Sequence, residues 1–197
     1  MLVLPSEPRP IRLMNTVWAD RHGVHEALGT PADLARWLTV TGLTHPGPAV
    51  TAAGLHTAIA LRDALRRLAA LKTGDTRPAA QSAIRAVDAA VRVVNQTAAA
   101  GPRRDTLDVL GDQLRLRPAA PTTDPAIALA TVAAEGVALL TAPDLVLNAC
   151  QAPGCVLYFV KDHPRREWCS TACGNRARAA RHYRRHRLPP EPEPEPS

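Results

Sequence analysis

Aromatic side chains are scarce in this chain, 3% of 197 residues, which excludes a core built on stacked rings. The apolar 46% is mostly Ala, Leu and Val, a mix that favours helices packed closely on small residues. No apolar run approaches the roughly 20 residues that a membrane span needs. The opening Met1–Leu4 run is short and meets Pro5, so no secretory leader and no membrane partner are expected. Glycine-rich phosphate loops, nucleophile motifs and internal repeats are absent, which points away from an enzyme. Cysteine is limited to four residues, all beyond position 149. In the reducing cytoplasm expected of such a chain, paired cysteines are metal ligands before they are disulfides.

What the chain does have is concentrated between Cys150 and Arg187: all four cysteines and four of the six aromatics. The cysteines fall as Cys150-x4-Cys155 and Cys169-x3-Cys173, with 13 residues between the pairs. Two tight turns that each deliver two thiols, joined by a hairpin-sized loop, suit one structural Zn²⁺ held by Cys150, Cys155, Cys169 and Cys173. Four thiolates fill the tetrahedron and leave no open position for a reacting water. A different set, Cys169, Cys173, His182 and His186, has a proper His-x3-His half. It leaves only eight residues between Cys173 and His182, against about 12 in a two-Cys, two-His finger, and it orphans Cys150 and Cys155. His22 and His25, with Asp20 and Glu26, match no standard ligand spacing and read better as a polar loop than as a second metal site.

The net charge of +6 is unevenly placed: +2 over residues 1–149, +7 over 150–188 and −3 over the tail. Localised positive charge implies a polyanionic partner more than general solubility does. Arg178, Arg181 and Arg185 recur at three- and four-residue steps after the last cysteine, flanked by Asn175, Arg176, Arg184 and Arg187. Guanidinium forks suit phosphate oxygens and guanine edges. Lys161, Arg165 and Arg166 are placed to hold phosphates of the same groove. DNA is the expected partner; RNA and a protein of the transcription machinery are the alternatives.

In chain order, residues 1–13 are Pro-rich, with Ile11 and Leu13 spaced as in a strand, and 15–25 read as a loop or a short turn of helix anchored by Trp18. Thr30-Pro31-Ala32-Asp33 starts a helix that Gly42 stops. A second helix is predicted over about 48–72, with Leu55, Ile59, Leu61, Leu65 and Leu68 inward, Arg62, Arg66 and Arg67 outward, and Gly74 as its stop. A third runs from about 78 to 99. Alternation around Gly111-Asp112 predicts a β-hairpin over 106–117, and a fourth helix covers about 125–140. Residues 156–160 form a β run, with 165–168 as the return strand. The fold class is mainly α: a helical N-terminal domain with a small β-hairpin (1–143), then a treble-clef-like four-cysteine finger ending in a basic helix (144–188). A disordered Glu-Pro tail (189–197) follows.

Trp168-Cys169-Ser170-Thr171-Ala172-Cys173-Gly174-Asn175-Arg176 resembles the CGNR zinc finger, whose name spells residues 173–176 here. Asn15-Thr16, the stretch from Leu34 to Leu38 with Trp37, and Leu61-Arg62-Asp63-Ala64-Leu65-Arg66 resemble the ABATE domain that usually precedes that finger. Two departures stand out: three residues rather than four between the last two cysteines, and Val160 where an aspartate often follows the Phe. The resemblance implies a cytoplasmic, nucleoid-associated bacterial transcriptional regulator, in some cases stress-responsive. The finger would bind DNA and the N-terminal domain would take a small-molecule effector or form a homodimer.

Overall fold

A computed structural model describes residues 4–101, 106–110, 113–117, 120–143 and 146–187. The Glu-Pro tail, the Gly111-Asp112 turn and the side chains of His186 and Arg187 lie outside the described residues. The elements run α1 (Arg9–Met14), β1 (Val17–Asp20), β2 (Gly23–Glu26), α2 (Pro31–Val40), α3 (Ala52–Thr73), a 3₁₀ turn (Pro78–Ala80) and α4 (Val87–Ala99). There follow β3 (Thr106–Leu110), β4 (Gln113–Arg117), α5 (Pro125–Thr141), β5 (Leu147–Ala149), β6 (Tyr158–Val160) and α6 (Thr171–Arg187). Among the described residues, each strand pairs only with its antiparallel neighbour, giving three two-stranded ribbons. The chain is mainly α, as expected, and no described helix is long and apolar enough to cross a membrane.

Local chemistry sets the helix ends. Thr30 and Asp33 form a reciprocal capping box, Asp33 N donating to Thr30 Oγ1 (3.2 Å) and Thr30 N to Asp33 Oδ2 (3.0 Å), with Pro31 in the first turn. Thr51 caps α3 by accepting from Gly54 N at 3.1 Å, so this helix starts at Ala52, later than expected. Gly74 ends it at φ 63°, a left-handed conformation that favours glycine. The third helix also starts late, at Val87. Ser82 Oγ donates to Asp63 O (2.6 Å) and accepts from Ile84 N (3.0 Å), holding that segment out of helix. The expected strand over residues 11–13 is helical instead. Pro10, Ile11, Leu13 and Met14 bury together on α1. The expected loop at 15–25 is the β1–β2 hairpin, with Gly23 at φ 126° and Trp18 stacked on the cross-strand His25, centroids 4.1 Å apart. The hairpin over 106–117 is present as β3–β4.

Helix α3 is the hub, packing on α1, α2, α4 and α5. Its Leu61, Ala64 and Leu65 share one core with Ile11, Leu34, Leu38, Leu129 and Val132, all essentially sealed from solvent. Small residues let the helices approach closely: a Cβ at Gly136 of α5 would lie 2.6 Å from Leu65 Cδ2. Two of the three α3 arginines expected to face out do not. Arg62 and Arg66 are 5% and 2% exposed. Arg62 pairs with Glu26 and Asp63, while Arg66 donates to Met14 O, Ala80 O and Val156 O at 3.0–3.2 Å. An arginine can face away from the leucine stripe and still be buried when other segments cover that side, here the 14–16 corner, the 3₁₀ turn and the start of β6.

The β5–β6 ribbon is a wall between two cores. Leu147 and Tyr158 belong to the main helical core, whereas Phe159, the next residue, belongs to a second cluster around the cysteines. Alternation along a strand produces this split. Asn15, 1% exposed, locks the ribbon to α1 by donating to Tyr158 O (2.9 Å) and accepting from Tyr158 N (3.0 Å). The return strand expected at 165–168 is not there: β6 pairs with β5, upstream of the first cysteine.

Candidate metal centre and basic helix

Two local devices bring the cysteines together. Between Cys150 and Cys155 the Pro153-Gly154 turn, with Gly154 at φ 72°, folds the chain back so that Cys155 N donates to Ala152 O (2.9 Å). Before α6, Ser170 acts as the N-cap: its Oγ accepts from Cys173 N at 3.3 Å, and its carbonyl accepts from Gly174 N at 3.1 Å. This cap puts Cys173 in the first turn and leaves Cys169 just outside it.

The four sulphurs lie within 4.8 Å of one another, and all four residues are buried. Cys155 Sγ and Cys169 Sγ are 3.9 Å apart, and Cys169 Sγ and Cys173 Sγ 3.4 Å. A tetrahedron with Zn–S bonds of about 2.3 Å has edges of about 3.8 Å, whereas a disulfide would need about 2.0 Å. Four buried thiols at this spacing suit one structural zinc ion. The alternative set fails on position, because His182 is exposed on α6. Among the described residues, these four cysteines are the only cluster of potential metal ligands. His25 instead bonds Asp20 at 2.8 Å on the exposed hairpin.

The thiols polarise one another. Cys150 is lowered to about 6, chiefly because the Cys155 thiol donates to it, and Cys173 is lowered chiefly by the Cys150 thiol. Cys155 and Cys169 are raised, both chiefly through their bonds with Cys150. Arg176 adds a cation, its guanidinium donating to Cys173 Sγ at 3.1 Å while its Nε is buried without a hydrogen-bond partner. Thiolate is thus favoured at Cys150 and Cys173, and a dication among the four sulphurs would draw the other two the same way.

The basic residues separate into two groups. Arg166, expected on the nucleic-acid face, is spent inside the protein. It donates to Val160 O (2.9 Å), Glu7 Oε1 (2.5 Å) and Cys169 O (3.2 Å), and it lies 4.9 Å over the Phe159 ring. Arg176, half-buried, faces sulphur. In contrast Arg165, Asn175, Arg178, Arg181, Arg184 and Arg185 are exposed, and Lys161 is half-exposed. Helix α6 carries six arginines and no acid, and it touches the rest of the protein through Cys173, Gly174 and Ala177, which are buried. A Cβ at Gly174 would lie 3.1 Å from the Trp168 ring, so a side chain there would have to push the ring back by a few tenths of an ångström. The arginine at 178 bonds the Asn175 side chain.

Sequence reasoning missed the residues that join this site to the helical domain. Glu7, Asp75 and Arg77 sit in Pro-rich or loop segments where hydrophobic periodicity says nothing. The charged side chains of these segments were the available signal, but not their direction.

Comparison with known families agrees with this geometry. The ABATE family model, described as "Putative stress-induced transcription regulator", matches residues 7–143. The CGNR zinc finger model matches residues 147–186. A search of curated proteins finds no match. With its helical bundle covered by the first model and its four-cysteine cage and basic helix by the second, this chain belongs to the ABATE family and ends in a CGNR zinc finger.

Proposed function

We propose that the protein regulates transcription by binding duplex DNA through helix α6, in the cytoplasm at the nucleoid. The observation that carries this reading is an acid-free helix of six arginines, exposed beyond Ala177 and fixed at its other end to the metal cage. Cys150, Cys155, Cys169 and Cys173 hold one Zn²⁺, which cross-links the two turns and leaves no position open for chemistry. Its role is to aim α6. Asn175, Arg178, Arg181, Arg184 and Arg185, with Arg187 beyond them, enter the major groove, and Lys161 and Arg165 grip phosphate. The N-terminal domain supplies a dimer contact or an effector site. An apolar groove of about 330 Å³ between α3, α4 and α5, lined by Leu68, Leu71, Val91, Val94, Val137 and Leu140, is where either would fall.

Genomic-fragment selection with the zinc-loaded protein at two salt concentrations tests the reading. A reproducible motif that survives the higher salt is expected. Were each of the seven cations named above (Lys161, Arg165, Arg178, Arg181, Arg184, Arg185 and Arg187) to neutralise one phosphate, the slope of log K against log salt would reach its limit of about −6 per protomer. Arg165→Ala should reduce that slope by about 1. Motif-free binding that vanishes at the higher salt, or a preference for structured RNA over duplex DNA, refutes sequence-specific DNA recognition.

A further inference from the structure

We infer that Arg77, which the helical domain supplies, is a positioning residue of the metal centre: its guanidinium clamps the Cys150–Cys155 turn by the carbonyls of both cysteines. The clamp begins where α3 stops. After Gly74, Asp75 N donates to Ala70 O (2.9 Å), which turns the Asp75 side chain inward to 1% exposure. Arg77 lies across that carboxylate in a two-pronged bond, Nε to Oδ1 and Nη2 to Oδ2, both 2.7 Å. Tyr158 Oη holds the same carboxylate at 2.8 Å. The guanidinium is thereby fixed in plane and direction, the arrangement in which arginine loses little freedom on forming further bonds. Its remaining nitrogen, Nη1, donates to Cys155 O at 2.6 Å and also to Cys150 O.

Those two carbonyls are the two ends of the turn. One donor on both fixes the chord of the turn, and with it the separation at which the two sulphurs leave the backbone. It also brings a cation to a centre that four thiolates and Zn²⁺ would leave with two negative charges. Arg66, donating to Val156 O at 3.2 Å, holds the next carbonyl from the same side. The second cysteine pair is built differently. It relies on Ser170 and α6, with Arg166 on Cys169 O. The first pair therefore depends on the helical domain for its shape, and the finger does not carry its whole second layer of support within residues 147–186.

The test uses the full chain, since the inference rests on the zinc assignment and on nothing about DNA. Wild type, Arg77→Met, Arg77→Lys, Asp75→Asn and Arg92→Met are loaded with zinc, and metal transfer to a chromogenic chelator is timed. Arg92, exposed on α4 and paired with Asp88, controls for loss of one positive charge. Each variant is also loaded with Co²⁺, whose thiolate charge-transfer absorption counts bound sulphurs. Far-UV circular dichroism of the metal-free proteins separates metal retention from folding.

Loss of the clamp should speed zinc release by about tenfold or more, the scale of second-layer substitutions at metal sites. Arg77→Met should keep its helical signal and lose Co²⁺–thiolate intensity as the first turn opens. Arg77→Lys should fall between, because an ammonium keeps the charge but cannot span Asp75 and both carbonyls. Arg92→Met should match wild type. Wild-type release and absorption in Arg77→Met overturn the inference, as does an equal change in Arg92→Met. If Arg77→Met fails to fold, Asp75→Asn decides: faster release supports the clamp, and a wild-type rate overturns it. Wild type that binds no zinc would instead sink the metal assignment itself.

Discussion

Replacing Arg66 by methionine is the sharpest test of how α3 holds the molecule together. The side chain is 2% exposed, and its three hydrogen-bond partners are all backbone carbonyls, on Met14, Ala80 and Val156. Its guanidinium also sits 5.4 Å over the Tyr158 ring. Burial, the largest influence, pushes this arginine below its ordinary value, with Tyr158 opposing it. Hydrogen bonds from a charged group are worth about 1.5–3 kcal/mol each, so three bring roughly 4–9 kcal/mol gross. Desolvating the cation returns several kcal/mol of that. Methionine matches the length and keeps the packing, but it leaves three carbonyls without this donor, at about 1–3 kcal/mol for each one water cannot reach. A net loss of about 2–4 kcal/mol is expected, large against a domain stability of about 5–15 kcal/mol but not enough to prevent folding. Urea unfolding followed by circular dichroism measures it, with an unchanged slope showing that the unfolded state is not responsible. Stability equal to or above wild type would mean that burying the charge costs as much as its bonds return, and Arg66 would not be what holds α3 to these three segments.

Two further expectations follow from contacts in the core and at the clamp. Gly136→Ala adds about 1 kcal/mol of helix propensity but places its Cβ 2.6 Å from Leu65 Cδ2, in a core where Leu65 is 1% exposed. Overpacking at about 1–3 kcal/mol should win, giving a net loss of about 1 kcal/mol that Leu65→Val partly relieves; a stabilised single variant would show that α3 and α5 have slack. Acid should separate metal loss from unfolding. Burial pushes the Asp75 carboxyl up, but bonds from Arg77 and Tyr158 outweigh it and hold it below its ordinary value. A depressed carboxyl contributes its stability above the unfolded value of about 3.9 and loses it only as pH falls through the lower folded value. Thiolates bind protons at far higher pH, so zinc release should precede loss of the helical signal. A single shared midpoint would contradict that order.

The parts of the fold that were legible are those written in local chemistry. The Thr30–Asp33 box and the Gly74 stop each act within one turn of the chain. The cysteine spacing likewise encodes two turns that need no distant partner to be recognised. What was not legible depends on segments far apart. Arg62 and Arg66 carry the charge of a solvated face, and only the 14–16 corner, the 3₁₀ turn and β6 packed over them make that face interior. The true partner of β6 is hidden in the sequence because Leu147–Ala149 is a three-residue strand, too short to show a period of two. Ser82 delayed α4 through a bond to Asp63, 19 positions away.

The distribution of arginine bears on how the two halves of the chain divide their work. Counted along the sequence, the basic segment looks uniform. In the structure it divides into an inner and an outer set. Arg166 and Arg176 turn towards the cysteine cage, and Arg77 joins them from the helical domain; each meets a carbonyl, a sulphur or a buried acid. Arg165 is exposed on the loop before the cage, and Arg178, Arg181, Arg184 and Arg185 are exposed on a helix that carries no acid. The inner arginines hold the frame in which the outer ones are aimed. On the inferred clamp, the loop after α3 meets the Cys150–Cys155 turn through Arg77, and the zinc that this turn would share with Cys173 joins that contact to the root of α6. Residues 75–77 therefore bridge the helical domain and the finger directly.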